Sequence, residues 1–415
     1  MSQADPARQL AWRVLEAVDD DSQLLLDTVM RRIGADVSPR DRALARELVQ
    51  GSTRWGLLYD AITGALLTRP HPPLALRRAL RLACHQILGM DRIPDHAIGA
   101  STGSLLRWGG HERLVGVANA VLRRLLAARI VGKEPWERLP SEMLPTDPGL
   151  RYGLPALFVR QLQQAGMAPS AIDLARCSRC PPLATRSRPG VELEDHPAML
   201  RREGAWTWWS DPQAAIHGPV AKGEAVVQDP AQWQALQLLG EVKGRRILDV
   251  CAAPGGKSLA LSEAGAWVIA ADSSQPRLAP LRKLLLGRPA AEPRPQPLVA
   301  DGRQSALVAA FDIVLVDAPC SNSGVWGRRP EARHRYTPEA LTSLTDIQAS
   351  LLRSASALVR PGGRLLYATC SLTPDENEAQ VAALSGWQVE VEHRSWPDDW
   401  QAGGYACLLS RVSAS

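Results

Sequence analysis

The chain has 415 residues, 45% of them hydrophobic and 22% charged, which suits a soluble globular protein of two to four domains. The opening MSQADPARQLAWRVLEAV carries an early acid and no long apolar run, and no later stretch approaches the ~18 apolar residues of a membrane span. A secretory signal and a membrane anchor are therefore not expected, and the protein is read as cytoplasmic. Seven scattered cysteines argue against a disulfide framework.

The net charge of +5 is carried almost wholly by arginine, with only five lysines in the chain. Residues 1–130 hold 18 arginines, no lysine and 13 acids, an excess equal to that of the whole protein. Arginine forks suit phosphates and stack on bases, although the same bias also arises from genome composition.

Residues 7 to about 130 read as helices throughout. Leu10, Val14, Ala17 and Val18 recur at helical spacing, as do Leu44, Leu48 and Val49, then Leu58 and Ile62. Ser38 is expected to cap a helix, with Pro39 at its first position and Asp41 in its first turn. Turns are expected at Arg69–Pro73 and Arg92–Asp95. A helical bundle follows, whose arginines form either a solvated face or an RNA-binding one.

From Lys133 to about Pro148 the chain is rich in Pro and Glu and suggests a linker. Residues 149–225 are mixed and form a small α+β intermediate module: LPALFVRQLQQAG reads as helix, CPPLATRSRPG and REGAWTWWSD as strands with turns. Trp206, Trp208 and Trp209 in the last run can stack bases, but alternating Trp more often packs a half-buried strand. Cys177 and Cys180 form a lone CxxC with no second pair and no histidines at zinc spacing, so no metal ligand is assigned.

Residues 226–415 alternate strand and helix: RRILDVC, AWVIAAD, QPLVAD, FDIVLVD and GRLLYATC, then WQVEVE and YACLLSR. The first five are apolar and β-branched, as strands of a doubly wound, mostly parallel sheet are. In such a sheet ligands sit outside the carboxyl ends of the strands. That edge receives a glycine-rich turn, Cys251-Ala252-Ala253-Pro254-Gly255-Gly256-Lys257, between a strand and a helix. Adjacent glycines admit close backbone approach, and the helix N-terminus offers free N–H groups. The turn lacks the spacing of a nucleoside-triphosphate P-loop.

Acids close the first four strands: Asp249, Asp272, Asp301 and Asp317. Asp272 is placed to hold ribose hydroxyls and Asp301 to reach an adenine amino group, so an adenosyl cofactor is expected, S-adenosyl-L-methionine above others. Cys320 in DAPCS and Cys370 in YATCS lie 50 residues apart, each after a buried strand, and both are expected to face this crevice. Two thiols and an acid suit methyl transfer to carbon 5 of a pyrimidine. Carbon 5 of cytosine is a poor nucleophile until a thiolate adds to carbon 6. Cys370 as nucleophile, Asp317 as partner of ring N3 and Cys320 as the base that permits release supply the three roles.

DVCAAPGGKS, DAPCS and LLYATCSLTPDENE resemble the two-cysteine RNA cytosine-5 methyltransferases. SPRDRALARELVQGSTRW, LRLACHQILGMDRIPDHAIGAST and VGVANAVLRRLL resemble the NusB-type RNA-binding helical domain. The combination is that of the bacterial small-subunit (16S) ribosomal RNA enzymes of the Sun/Fmu, or RsmB, type. The resemblance implies an all-α NusB-like bundle over residues 1–132, the intermediate module, and a C-terminal α/β Rossmann-like methyltransferase domain. It implies that Cys251 to Lys257, Asp272, Asp301 and Asp317 bind S-adenosyl-L-methionine, that Cys370 attacks the base and that Cys320 promotes release.

The chain departs from the family where Asn322-Ser323-Gly324 stands for the usual Gly-Thr-Gly, where Gly287 to Pro297 replaces a more regular helix end, and where PLATRSRPG lacks an asparagine after its arginine. The substrate is expected to be 16S rRNA, bound by a monomer, with the target cytosine unpaired or flipped out. The same chemistry on tRNA, or an inactive RNA-binding assembly factor, are the competing readings.

Overall fold

The computed structural model describes residues 5–21, 24–69, 71–286, 293–304, 307 and 310–412. They pack as two compact units, one of Met1–Ser178 with Arg329–Tyr336, the other of Arg179–Arg328 with Thr337–Ser415.

The first unit is helical. Its helices are α1 (Pro6–Asp20), α2 (Leu26–Ile33), α3 (Pro39–Arg54), α4 (Gly56–Leu66), α5 (Leu74–Leu88), α6 (Asp95–Trp108) and α7 (Val115–Ala128), then the shorter α8 (Pro148–Arg151), α9 (Ala156–Gln164) and α10 (Ala171–Ser178). Ser38 caps α3 as expected, its Oγ accepting from the Asp41 N–H at 3.2 Å. The apolar periodicity resolves into one core, with Trp12, Leu48, Tyr59, Leu80 and Leu105 buried in it. α5 is buried on nearly every side, arginine included.

Some of the arginines are therefore neither a solvated face nor an RNA grip. Arg78 is 6% exposed and bridges Glu16 and Asp19 at 2.9 and 3.0 Å, its guanidinium over the Trp12 ring. Arg81 forks onto Asp60, and Arg8 donates to Gln86. These side chains cross-link helices.

The Pro- and Glu-rich stretch expected to be a linker is packed. Pro135–Arg138 forms a 3-10 turn closed by a capping box between Glu134 and Glu137. Trp136 lies against Trp55 and Tyr152, with ring centroids 5.1 and 5.3 Å apart, and Leu139 enters the core. Trp136 and Leu139 anchor this connecting stretch.

The second unit contains two sheets. The smaller has strand order β2-β3-β1-β4, from β1 (Leu183–Ser187), β2 (Met199–Glu203), β3 (Trp206–Trp209) and β4 (Ala225–Val227), with α11 (Pro212–Ala215) before β4. Trp208 and Trp209 are buried, and Trp209 Nε1 donates to Thr185 Oγ1 at 2.9 Å, so these two indoles pack the strand.

The larger sheet is built from β5 (Arg246–Asp249), β6 (Trp267–Asp272), β7 (Gln296–Val299), β8 (Phe311–Asp317), β9 (Val359–Thr369), β10 (Trp387–Ser395) and β11 (Gly404–Arg411). Its order is β10-β11-β9-β8-β5-β6-β7, parallel from β7 to β9, with β11 antiparallel to both of its neighbours. Helices α12 (Pro230–Gln237), α13 (Gly256–Glu263), α14 (Gln275–Leu286), α15 (Pro338–Leu358) and α16 (Glu378–Ala382) connect them. Strand order reverses at β5, flanked by β6 and β8, so the crevice outside the ends of β5 and β8 is the switch point where such sheets bind ligands. The Gly287–Pro297 departure lies partly outside the described residues.

Candidate active site

Three turns define the site: the one after β5, the one after β8 and the one after β9. Parallel pairing of β8 with β9, Asp317 opposite Ala368, delivers their last residues to one edge. Cys320 Sγ and Cys370 Sγ meet there at 3.0 Å. The loop after Cys320 is fastened to the loop after Cys370: Gly324 N–H donates to Cys370 O at 2.8 Å, and Gly403 N–H donates to Gly324 O at 2.8 Å. A Cβ at Gly324 would stand 2.4 Å from Gly403 O, so only glycine fits.

Asn322, first residue of the departure from the family pattern, adopts φ 62°, the left-handed region that glycine and asparagine tolerate. Its Nδ2 donates to Cys320 O at 2.9 Å and its Oδ1 accepts from Cys370 Sγ at 3.4 Å. The asparagine side chain thus contacts the second thiol from a backbone conformation that glycine also adopts.

Cys320 is held well above the ordinary thiol range by its hydrogen bond to Cys370 and then by burial, so it keeps its proton. Lys257 Nζ donates to Asp317 Oδ2 at 2.7 Å. Burial opposes the ammonium, but Asp317, Asp249 and the Cys370 sulfur outweigh it and raise its pKa. The Lys257 ammonium thus lies within electrostatic reach of the Cys370 sulfur.

The turn after β5 carries a left-handed Gly255 (φ 107°), where a Cβ would strike Leu281 Cδ1 at 2.7 Å. Gly256 is different: a Cβ on it would meet no protein atom within 4 Å, so space lies open over the first residue of α13. Cys251 is half-buried, and desolvation raises its thiol, which makes it inert.

The four acids divide. Asp249 is fully buried, accepts from Ser258 Oγ at 2.6 Å, and is pushed by desolvation up to about 7. It fastens the turn to α13. Asp272 ends β6, 2% exposed, and accepts the Ala253 and Ser274 N–H groups at 3.2 and 2.9 Å. Asp317 ends β8 at the crevice. Asp301 falls two residues beyond the end of β7 and forks with Arg303 at 2.7 Å, its carboxylate 37% exposed.

In the sequence Lys257 belongs only to the cofactor turn; its ion pair with Asp317 depends on the adjacency of β5 and β8 and leaves no local sequence signal. Glu376 and Asn377 were visible in TPDENE without a role. Asn377 bridges the strand end to the second cysteine loop, Oδ1 accepting from Thr369 Oγ1 at 2.6 Å and Nδ2 donating to Ser371 O at 3.0 Å.

Residues 236–403 match the family described as 16S rRNA methyltransferase RsmB/F, and residues 5–127 match the NusB family. A "Ribosomal RNA small subunit methyltransferase B" of Xanthomonas campestris is 32% identical over 91% of this chain and 87% of its own length. The chain belongs to the RsmB/F methyltransferase family.

A "Putative methyltransferase Rv1407" of Mycobacterium tuberculosis is 34% identical over 91% of this chain and 86% of its own length. Among solved structures, that of PH0851 superposes with a TM-score of 0.69 over 99% of this chain and 100% of its own, at 21% identity, which speaks for the fold. As an RsmB/F member the protein is a methyltransferase that takes its methyl group from S-adenosylmethionine. The open space over Gly256, at the N-terminus of α13, fits such a ligand. Among the described residues, no helix is long and apolar enough to cross a membrane.

Proposed function

We propose that this RsmB/F protein methylates carbon 5 of a cytosine in small-subunit ribosomal RNA through a covalent bond between Cys370 and carbon 6 of the base. The observation that carries the reading is the 3.0 Å approach of two thiols at the strand edge beside a lysine–carboxylate pair. Methylation at an exocyclic nitrogen or a ribose oxygen needs no thiol.

Gly256 and the N–H groups opening α13 would hold the cofactor, with Asp272 at its ribose; once Asp301 leaves Arg303, it can meet the adenine. Bound there, S-adenosylmethionine supplies an electrophilic methyl carbon. Cys370 loses its proton to solvent and adds to carbon 6 as a thiolate near the Lys257 ammonium, while ring N3, facing Asp317, takes up a proton from solvent as the displaced electron pair enters the ring. Electron density returned to carbon 5 then takes the methyl group.

Release requires the carbon 5 proton to leave and the sulfur–carbon 6 bond to break. Cys320 keeps its proton while it is hydrogen-bonded to Cys370. Once Cys370 is a thioether, Cys320 gives its proton to solvent and as a thiolate accepts the carbon 5 proton; the electron pair left behind re-forms the ring double bond and expels the Cys370 thiolate. A stacked, paired cytosine cannot present carbon 6 to a thiolate, so the target is unpaired or flipped out. The helical unit would supply backbone grip, and a monomer suffices.

The test is transfer from labelled S-adenosylmethionine to unmodified small-subunit rRNA and to tRNA, with digestion to nucleosides. Label in 5-methylcytidine from rRNA is expected. Label in another nucleoside overturns the thiol mechanism, and label only in tRNA overturns the substrate. Cys370→Ala is expected to form no adduct, and Cys320→Ala to accumulate RNA-linked protein on denaturing gels. The reverse pattern would exchange the two roles.

A further inference from the structure

Glu376 is 0% exposed and lies on the short 3-10 turn Pro374–Glu376 beyond the second cysteine loop. A lone carboxylate at such depth is strongly disfavoured unless donors surround it. Five do. Oε1 accepts from the Ser321 N–H at 2.8 Å and from Gln348 Nε2 at 3.1 Å. Oε2 accepts from Ser321 Oγ at 2.6 Å, Ser371 Oγ at 2.6 Å and Thr373 Oγ1 at 3.1 Å.

Two of these donors directly follow the thiols in the chain. Ser321 is the residue after Cys320, and Ser371 is the residue after Cys370. One carboxylate therefore grips both cysteine loops, which come from separate strands 50 residues apart. A further partner, Gln348 of α15, also donates to the carbonyl of Pro319, the residue before Cys320, at 2.9 Å. The Glu376 carbonyl is itself held by Tyr367 Oη at 2.6 Å, so the carboxylate is anchored to β9 rather than floating with either loop.

We propose that Glu376 is a positioning residue of the methyl-transfer reaction, setting the separation of the two thiols by holding Ser321 and Ser371 on one carboxylate. It touches neither thiol and acts through the backbone of each loop. This rests on the roles given above to Cys370 in attack and Cys320 in release. Those roles require the two sulfurs to reach adjacent atoms of one ring, so a displacement of either loop by an ångström slows its own step about 10- to 100-fold. Because the grip is divided, the two steps are separable. Loosening the Cys320 loop alone slows release; loosening the Cys370 loop alone slows attack.

Glu376→Ala would leave five buried donors unmet and is a poor probe, since loss of folding would mask the effect. The experiment uses Ser321→Ala and Ser371→Ala, each of which removes one hydroxyl while the carboxylate keeps its other donors. Full-length protein is mixed with unmodified small-subunit rRNA and S-adenosylmethionine, and RNA-linked protein is followed on denaturing gels through a single turnover, with thermal melting alongside. Expected are a rise of about 10- to 100-fold in trapped adduct for Ser321→Ala and a comparable fall in the rate of adduct formation, without trapping, for Ser371→Ala. Glu376→Gln keeps the shape, and the hydroxyls can turn to accept, so it should retain most of both rates.

Two serine variants that melt normally and slow attack and release alike would overturn the positioning role. So would serine variants that leave both steps unchanged. Cys320→Ala is run in parallel. If it traps adduct while the serine variants behave alike, this inference alone fails; if it traps none, the assignment of the thiols fails and takes the inference with it.

Discussion

Lys257 Nζ lies 2.7 Å from Asp317 Oδ2, the lysine almost wholly buried and the carboxylate one-third exposed to the crevice. The pair joins the turn after β5 to the end of β8, so the residues that would hold the cofactor and those that would meet the base share one ion pair. Lys257→Met should leave Asp317 free to swing and Cys370 without its nearby cation. Methyl transfer is expected to fall about 100-fold at saturating S-adenosylmethionine, with cofactor affinity changed only a few-fold. Steady-state kinetics and calorimetric cofactor titration separate the two effects. A loss confined to cofactor affinity would return Lys257 to the cofactor turn alone.

Gly255 and Gly256 are neighbours under different constraints. Gly255→Ala combines a positive φ with a 2.7 Å approach to Leu281, and should destabilise the fold by about 2–3 kcal/mol, read by urea unfolding. Gly256→Ala meets no protein atom and sits in the first turn of a helix, so stability should hold or rise slightly. Its methyl group enters the space assigned to the ligand. Cofactor binding should weaken at least about tenfold, the size of a misfit of 1–2 kcal/mol.

Asp249 gives stability a pH dependence of defined sign. Its folded-state pKa of about 7 stands above the ordinary 3.8, so the native protein binds this proton more tightly than the unfolded chain. Stability from this group is complete below pH 4, falls as pH rises towards 7, and is flat beyond. Asp249→Asn keeps an acceptor for Ser258 and removes the ionisation. The variant's stability relative to wild type should therefore climb between pH 4 and 7, by at most about 4 kcal/mol at ~1.4 kcal/mol per unit. Unfolding midpoints across that range test it; a difference independent of pH would show that Asp249 ionises freely.

Asn322→Gly restores the residue usual in the family at a position with φ 62°. Glycine adopts that conformation without a Cβ penalty, so melting should shift by no more than a few degrees. The contacts with Cys370 Sγ and Cys320 O are lost. Methyl transfer should slow about tenfold through looser orientation of Cys370. An unchanged rate would mean the side chain merely fills the turn.

Much of the fold was legible because its signals are local. Helical spacing from Leu10 onward, the Ser38 cap, and the short β-branched runs ending in Asp249, Asp272 and Asp317 each depend on a few adjacent residues. Asp301 was placed less well, since β7 ends two residues early and Arg303 claims its carboxylate. The stretch from Lys133 to Pro148 packs because Trp136 and Leu139 find partners far away in the chain, which composition does not encode.

The residues 329–336 show the same limit from the other direction. In sequence they continue the loop after Cys320, yet they pack in the helical unit. Arg333, 1% exposed, donates to Arg54 O, to Gly153 O at 2.8 Å and to Ser178 Oγ at 3.0 Å. His334, pulled down to about 3 by burial, stays neutral and faces Thr53 O at 3.0 Å.

The sequence by itself determined which residue types stand at the ends of the strands, because period-two and apolar patterning mark where a strand stops and which turn follows. It thereby brought Cys320, Cys370, Asp317 and the CAAPGGK turn to one edge. Tertiary structure alone decided how they meet. The pairing of β8 with β9 sets two sulfurs 3.0 Å apart, the adjacency of β5 and β8 gives Asp317 its lysine, and a buried glutamate at position 376 finds its donors on both loops. Distances between side chains on different strands depend on register and packing, and those are properties of the folded chain as a whole.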